Sequence, residues 1–173
     1  MNYADIKRVD VANGPGVRVS LFVSGCTHRC PGCFNPETWD FAFGAPFGEE
    51  QLRELLTLLD RPYIRGLSLL GGEPFEPENQ GAVLALVRRV RRELPQKDVW
   101  CYTGYLYEAL AAGQVGEHSR DLLAELDVLV DGPFVEAQKD LKLRFRGSAN
   151  QRILDVPVSL AAGEAALWTE ASL

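Results

Sequence analysis

Three cysteines lie within eight residues, in the run Cys26-Thr-His-Arg-Cys30-Pro-Gly-Cys33, and this C-x3-C-x2-C spacing constrains the chain more than any other feature. Thiolates this close together can bind one metal centre. They are one ligand short of a structural zinc site, which is tetrahedral, and one short of the four thiolates that usually hold an iron–sulfur cluster. A four-iron cubane held by three cysteines would leave one iron free to bind another molecule. The spacing therefore favours a catalytic centre over a purely structural one.

Two other residues are candidates for a fourth ligand. Cys101 lies in the middle of a predicted strand, between Trp100 and Tyr102, which is typical of a buried thiol that packs as a small hydrophobe. His28 lies inside the cysteine loop, where we expect a hydrogen-bond donor behind the ligands or a surface residue. A zinc site completed by Cys101 or His28 stays open as the weaker alternative.

Composition and charge narrow the class of protein. The 173 residues fit one domain (residues 1–173), and a chain of this length buries enough surface to form a core. The net charge of −6 argues against nucleic acid as a partner, because phosphate binding requires a basic surface. The sequence has no apolar run long enough to cross a bilayer and no secretory signal, which predicts a cytoplasmic protein without membrane contact. Since the cytoplasm is reducing, the four cysteines indicate metal binding or catalysis instead of disulfides.

Hydrophobic periodicity predicts strands that alternate with helices. Such alternation is typical of βαβ units and a parallel sheet, and the chain is too short for a full (βα)8 barrel of about 250 residues. We therefore expect an α/β fold with a partial, open βα barrel. The predicted strands are 17–23, 66–70, 98–102, 128–130 and 152–156, and the predicted helices are 49–60, 79–94, 105–112 and 119–126.

Each suspected functional segment directly follows a predicted strand. The cysteine loop follows the first strand, Gly71-Gly72-Glu73 the second, Thr103-Gly104 the third and Asp131-Gly132 the fourth. In parallel α/β folds, ligand sites collect at the carboxyl ends of the strands, so these four segments should share one rim of the sheet. Glycine pairs and Asp-Gly-Pro are also ordinary turn sequences, which is the alternative interpretation of the last three segments.

The cysteine motif resembles that of the radical S-adenosylmethionine (SAM) enzymes, and Gly71-Gly72-Glu73-Pro74 is similar to their GGE segment, which meets the methionine end of SAM. Further stretches resemble a narrower family, the activating proteins of anaerobic ribonucleoside-triphosphate reductases. The resemblance covers roughly residues 2–155, and residues 156–173 match nothing. The stretches that carry it are 13–18, 24–26, 33–39, 100–105, 127–134 and 146–151.

The resemblance implies a [4Fe-4S] cluster on Cys26, Cys30 and Cys33, with SAM chelated to the open iron. Reduction of SAM would yield a 5′-deoxyadenosyl radical, chemistry that the cofactors supply and the protein positions. The sulfonium is hard to reduce, so the cluster should need a low-potential electron donor. Glu73 and nearby carbonyls would meet the SAM ammonium, and Gly32 would let backbone approach the cluster. The cofactor-binding candidates are Gly32, Phe34, Gly71, Gly72, Glu73, Thr103 and Asp131.

A domain with little chain beyond this rim cannot easily enclose a large substrate, which favours a substrate delivered by another protein. The resemblance implies a glycine of an anaerobic ribonucleoside-triphosphate reductase, docked against Phe34, Trp39 and the Asp131 turn. Three alternatives remain: activation of another glycyl radical enzyme, radical SAM chemistry on a small molecule, and a non-catalytic electron-transfer or zinc module. The segment 144–152 is predicted to be structural or to contact the partner.

Overall fold

Four parallel strands form the centre of a seven-stranded sheet in the computed structural model, which describes residues 1–170. Helices lie between these strands in the chain, and parallel neighbours that are joined through a helix normally form right-handed βαβ crossovers. The strands are β1 (Asn2–Asp10), β2 (Val17–Val23), β3 (Ala45–Pro46), β4 (Ile64–Gly71), β5 (Asp98–Tyr102), β6 (Val128–Asp131) and β7 (Arg152–Asp155). The helices are α1 (Glu49–Leu59), α2 (Pro77–Glu93), α3 (Tyr107–Ala111), α4 (Ser119–Ala124) and α5 (Val156–Ala162).

The order of the strands is β3-β1-β2-β4-β5-β6-β7, and the sheet is mixed. Strands β2, β4, β5 and β6 run parallel as the sequence predicts. At the edges the pairing is antiparallel, between β1 and β2, between β1 and β3, and between β6 and β7. The expectation of a parallel sheet is therefore correct for the centre and wrong at both edges. Strand β1 was not predicted, because Asn2–Asp10 is largely polar and shows no clear alternation, and its pairing with β2 contains register shifts.

Local hydrogen bonds explain two differences between the predicted and the observed ends of elements. Helix α3 begins at Tyr107 instead of 105, because the Asp131 carboxylate accepts from the Tyr107 N–H. Strand β7 ends at Asp155 instead of 156, because the Asp155 side chain accepts from the Val158 N–H and caps α5. The last three residues of the segment 156–173 lie outside the described residues.

The two faces of the sheet pack in two separate hydrophobic clusters. Side chains that alternate along β5 show this division: Val99 and Cys101 belong to the large apolar core, whereas Trp100 packs in a second cluster with Val128 and Val130. Cys101 is 0% exposed among aliphatic side chains, as predicted for a buried thiol. Each fully buried valine or leucine side chain in the large core stabilises the fold by roughly 1.5–3 kcal/mol.

A fully buried arginine organises the other face. Arg18 on β2 donates to the Ser68 hydroxyl at 2.7 Å and to the Asp98 carboxylate at 2.5 Å, and its guanidinium lies 5.4 Å from the Trp100 ring centroid. Gly14 in the preceding loop approaches so closely that a Cβ there would lie 2.8 Å from Arg18 Cδ. The loop is thereby held over the sheet, which brings Asn13 to the edge of the cavity described below. Among residues 1–170, no helix is both long and apolar enough to cross a bilayer.

Candidate functional site

A cavity of about 460 Å³ lies at the carboxyl ends of the parallel strands. Its volume falls in the range of small-molecule sites, roughly 300–1,000 Å³. It brings together the cysteine loop and the residues that follow β4, β5 and β6, so the predicted common rim is present in the structure. The predicted residues that line it are Cys26, Cys30, Cys33, Phe34, Gly71, Gly72, Glu73 and Thr103.

Backbone hydrogen bonds fix the start of the cysteine loop. The Gly25 N–H donates to the Thr38 carbonyl at 2.8 Å, and the Gly25 carbonyl accepts from the Glu73 N–H at 2.8 Å. Gly25 has φ of +100°, and a Cβ there would lie 2.3 Å from the Phe41 ring, so only glycine fits. Gly72 is equally tight, because its Cβ would lie 2.6 Å from the Gly25 carbonyl oxygen. The loop and the Gly71-Gly72 segment are therefore packed backbone against backbone.

The three loop cysteines are partly buried and line the same cavity. Within residues 1–170, no three His, Cys, Asp or Glu side chains converge on one point as single-ion ligands do. A zinc ion would need all its ligands about 2.0–2.3 Å from one centre. A cubane instead binds each thiolate through a different iron, so its ligands are spread around one face of the cluster. Cys26, Cys30 and Cys33 could hold such a cluster, since all three line the one cavity.

The two candidates for a fourth ligand lie in different places: Cys101 is in the apolar core, whereas His28 lines the cavity and contacts Glu73. Cys101 faces the apolar core on the helix side of the sheet, away from the cavity. The His28 Nε2 is 2.9 Å from the Glu73 carboxylate, and its ring packs edge-on against Tyr105. His28 therefore forms a hydrogen bond inside the cysteine loop, and the bond to Glu73 raises its pKa.

Burial also affects the first cysteine of the loop, Cys26. Desolvation, with a smaller effect from the Glu73 carboxylate, raises the pKa of the Cys26 thiol to about 11 in the metal-free chain. If Cys26 binds iron, it would do so as the thiolate, so metal binding would have to displace this proton.

Glu73 is the central link of the site. The carboxylate is 1% exposed and accepts from the Phe75 N–H at 2.9 Å and the Gly104 N–H at 2.8 Å, besides its contact with His28. These bonds tie the end of β4 to the end of β5 and to the cysteine loop. Both carboxylate oxygens are engaged by the protein, so the side chain holds the site together whether or not it also meets a ligand.

A second carboxylate, which the sequence interpretation missed, holds the same loop. Glu76 accepts from both the N–H and the hydroxyl of Thr27, each at 2.6 Å. Glu73 and Glu76 thus bind successive residues of the cysteine loop, His28 and Thr27. The sequence signal for this pair is that Glu73 and Glu76 lie three residues apart, directly after Gly71-Gly72.

Gly32 and Phe34 occupy different positions around the third cysteine. Gly32 has φ of +74°, and a Cβ there would lie 2.8 Å from the Glu136 side chain, so it contributes a tight turn outside the cavity lining. Phe34 is 57% exposed at the cavity mouth, with its ring centroid 5.1 Å from that of Phe134. A Cβ on Gly147 would lie 3.0 Å from the Phe34 ring, which explains the glycine in the segment 146–151.

Asp131 does not line the cavity, so its cofactor or docking role stays a prediction that no contact in the structure supports. It is 0% exposed, and it pairs with Arg152 Nε at 2.9 Å while accepting from the Tyr107 N–H at 2.8 Å. Its carboxylate joins β6, β7 and α3. The following residue, Gly132, lines the cavity in its place.

Replacing Asp131 by asparagine should therefore affect folding more than cofactor binding. The variant keeps the shape but loses the charge that pairs with the partly exposed Arg152 side chain. We expect the free energy of unfolding to fall by about 2 kcal/mol, because Glu108 still pairs with Arg152. Chemical denaturation of the metal-free protein measures the loss, and SAM affinity of the loaded protein should stay within about twofold. A tenfold loss of SAM affinity with unchanged stability would restore Asp131 to the cofactor site.

One side of the cavity is closed by a loop whose last three residues begin the segment 144–152, which the sequence predicts to be structural or to contact the partner. Residues 139–146, which we name the basic lip, contribute several lining side chains, and the hydroxyl and amide groups of residues 148–151 hold its stem. The Gln151 carbonyl oxygen Oε1 accepts from the Gly147 N–H at 2.9 Å, and its Nε2 donates to the Gly132 carbonyl at 3.0 Å. The lining residues of the lip are Asp140, Leu141, Leu143, Phe145 and Arg146.

Known proteins similar to this chain include a family of iron–sulfur domains and a set of reductase-activating proteins. The family model for a 4Fe-4S single cluster domain matches residues 12–154. An anaerobic ribonucleoside-triphosphate reductase-activating protein of Vibrio cholerae is 46% identical over 88% of this chain and 97% of its own length. Proteins of the same name from Escherichia coli K12 and from enterobacteria phage T4 are 44% and 40% identical, over 87% and 88% of this chain and 96% and 93% of their own. The chain therefore belongs to the family of anaerobic ribonucleoside-triphosphate reductase-activating proteins.

Proposed function

We propose that this protein cleaves SAM reductively at a [4Fe-4S] cluster and thereby generates a glycyl radical on an anaerobic ribonucleoside-triphosphate reductase. The observation that carries the proposal is the shared cavity, in which three thiols face the strand-end glycines in a chain of this family. The proposal includes an open, partial βα barrel of the radical SAM type, and its support is a cavity at the carboxyl ends of four parallel central strands.

The chain's own residues would hold the cluster and orient SAM. Cys26, Cys30 and Cys33 would bind three irons, and the cavity leaves room for a ligand on the fourth. The tight packing of Gly72 against Gly25 puts the end of β4 directly beside the cysteine loop, where its backbone carbonyls can accept from the SAM ammonium. When bound, the cluster and SAM supply one-electron reduction of the sulfonium and a carbon radical that abstracts hydrogen.

Access to the cavity supports a protein substrate. The mouth is open, and its rim carries exposed apolar side chains, Phe34 and Leu141, that a small polar substrate would not need. A glycine segment is narrow enough to enter such a mouth, and the radical that forms on it is stabilised by the flanking amides. A low-potential electron donor would complete the reaction, which we place in the reducing cytoplasm.

Product analysis tests the proposal. The reduced, cluster-loaded protein should convert SAM to methionine and 5′-deoxyadenosine, and ribonucleotide reduction by the cognate reductase should depend on this step. A control with inactive, metal-free protein should give neither product. Cleavage of SAM with consumption of a small molecule, and no effect on the reductase, would favour the small-molecule alternative.

A further inference from the structure

The basic lip differs in charge from the rest of the chain. Its eight residues include Lys139, Lys142, Arg144 and Arg146 against one acid, Asp140, although the whole chain carries a net charge of −6. A concentration of positive charge in an acidic protein creates a local field that attracts acidic partners and orients their approach. The lip stands at the mouth of the cavity, where a substrate must pass.

The stem of the lip is fixed. Lys139 and Ser148 form an antiparallel bridge, the Ala149 N–H donates to the Gln138 carbonyl at 2.9 Å, and buried Ser148 accepts from the Val135 N–H at 3.1 Å. On the far side, the Phe145 ring packs edge-on against Trp100 with centroids 5.7 Å apart. Phe145 has φ of +60°, an uncommon conformation for an aromatic residue, so packing holds the backbone in this shape.

The tip, in contrast, is bare. Leu141 is 86% exposed, the highest fraction among the large hydrophobic side chains of the described residues. The Lys142 ammonium makes no ion pair or hydrogen bond within residues 1–170, whereas Lys139 lies over the Phe34 ring and Arg144 pairs with Glu170. A rigid stem that presents one leucine and one unpaired lysine is suited to contact with another surface, because little conformational freedom is lost on binding.

We propose that the basic lip is the docking element for the reductase, with Leu141 entering an apolar depression and Lys142 facing carboxylates on that partner. The inference rests on the proposed function, since it assigns the surface through which the same substrate protein arrives. It goes further in predicting that the reductase presents an acidic surface with an apolar recess beside its glycine segment. A nucleic acid is the less favoured occupant, because the surrounding chain is acidic and would repel its phosphates.

Anaerobic binding kinetics of the cluster-loaded protein with the reductase test the inference. K142E should lower the association rate about fivefold and weaken its dependence on salt, because steering by the lip is lost. L141A should lower affinity about tenfold, mainly through faster dissociation. R53E is the matched control: Arg53 is exposed on α1, on the helix side of the sheet, and its reversal should change the association rate less than twofold.

The outcomes separate the inference from the function on which it rests. If K142E and L141A bind the reductase as tightly as the wild-type protein does, the lip is not the docking element, and the proposed function is unaffected. If the wild-type protein does not bind the reductase, both the docking inference and the proposed function are wrong. Lys142 does not line the cavity, so loss of SAM cleavage by K142E without reductase would assign the lip to the cofactor site instead. Binding of a single-stranded oligonucleotide that is lost in K142E would likewise reject the acidic protein partner.

Discussion

Replacing Cys30 by serine should abolish cluster loading, whereas replacing Cys101 by alanine should leave about four irons per chain, as a cubane requires. Cys30 lies in the loop that lines the cavity, and serine there removes one of three thiolates. Cys101 lies in the apolar core on the opposite face of the sheet, where it cannot reach the cluster. Iron and sulfide analysis after anaerobic reconstitution, together with the visible absorption of the cluster, measures both variants.

Alanine is a better control than serine at position 101. A serine hydroxyl would be buried there among aliphatic side chains without a hydrogen-bond partner. The alanine variant should lose some stability through a small cavity and still bind iron normally. If Cys101→Ala also failed to load iron while remaining folded, a fourth protein ligand would have to exist, and the open iron on which SAM chemistry depends would be lost.

Replacing Glu73 by alanine should give the second large effect, on both stability and SAM affinity. The change removes the acceptor of the buried Phe75 N–H and of the partly buried Gly104 N–H, and it releases His28. We therefore expect the free energy of unfolding of the metal-free protein to fall by about 3–5 kcal/mol. SAM affinity should fall at least tenfold, because the cysteine loop and the end of β4 are no longer held together. Denaturation curves and anaerobic equilibrium binding measure the two effects.

Glu78→Ala is the matched control for this variant. Glu78 lies in the first turn of α2, five residues further along the chain, but it is exposed and has no role in the cavity. Its replacement should cost less than about 1 kcal/mol, the usual contribution of an acidic residue near a helix N-terminus. Equal losses in Glu73→Ala and Glu78→Ala would mean that the Glu73 hydrogen bonds do not organise the site.

The centre of the fold was predictable because its signals are local. The apolar runs of β2, β4, β5 and β6 and the leucine periodicity of α1 determine the elements without knowledge of distant contacts. The rule that sites lie at the carboxyl ends of parallel strands then placed the cysteine loop, the Gly71 segment and Thr103 on one cavity, as the structure has them.

The remaining features depend on contacts between distant residues. Strand β1 is polar and exists because it pairs with β2, so its own sequence gives little indication of it. Asp131 stands at a strand end like the other candidates, and only the position of Arg152, 21 residues away, turns its carboxylate out of the cavity. The lip shows no periodicity at all, since it is shaped by the packing of Phe145 on Trp100.

The measurement that tests the central claim most directly is an EPR spectrum of the reduced, cluster-loaded protein mixed anaerobically with SAM and the cognate reductase. We predict a doublet from a carbon radical on the reductase, lost when the target glycine is replaced by alanine and absent when Cys30→Ser protein is used. SAM cleavage at the normal rate with no radical on the reductase, in a mixture where the two proteins bind, would contradict the account.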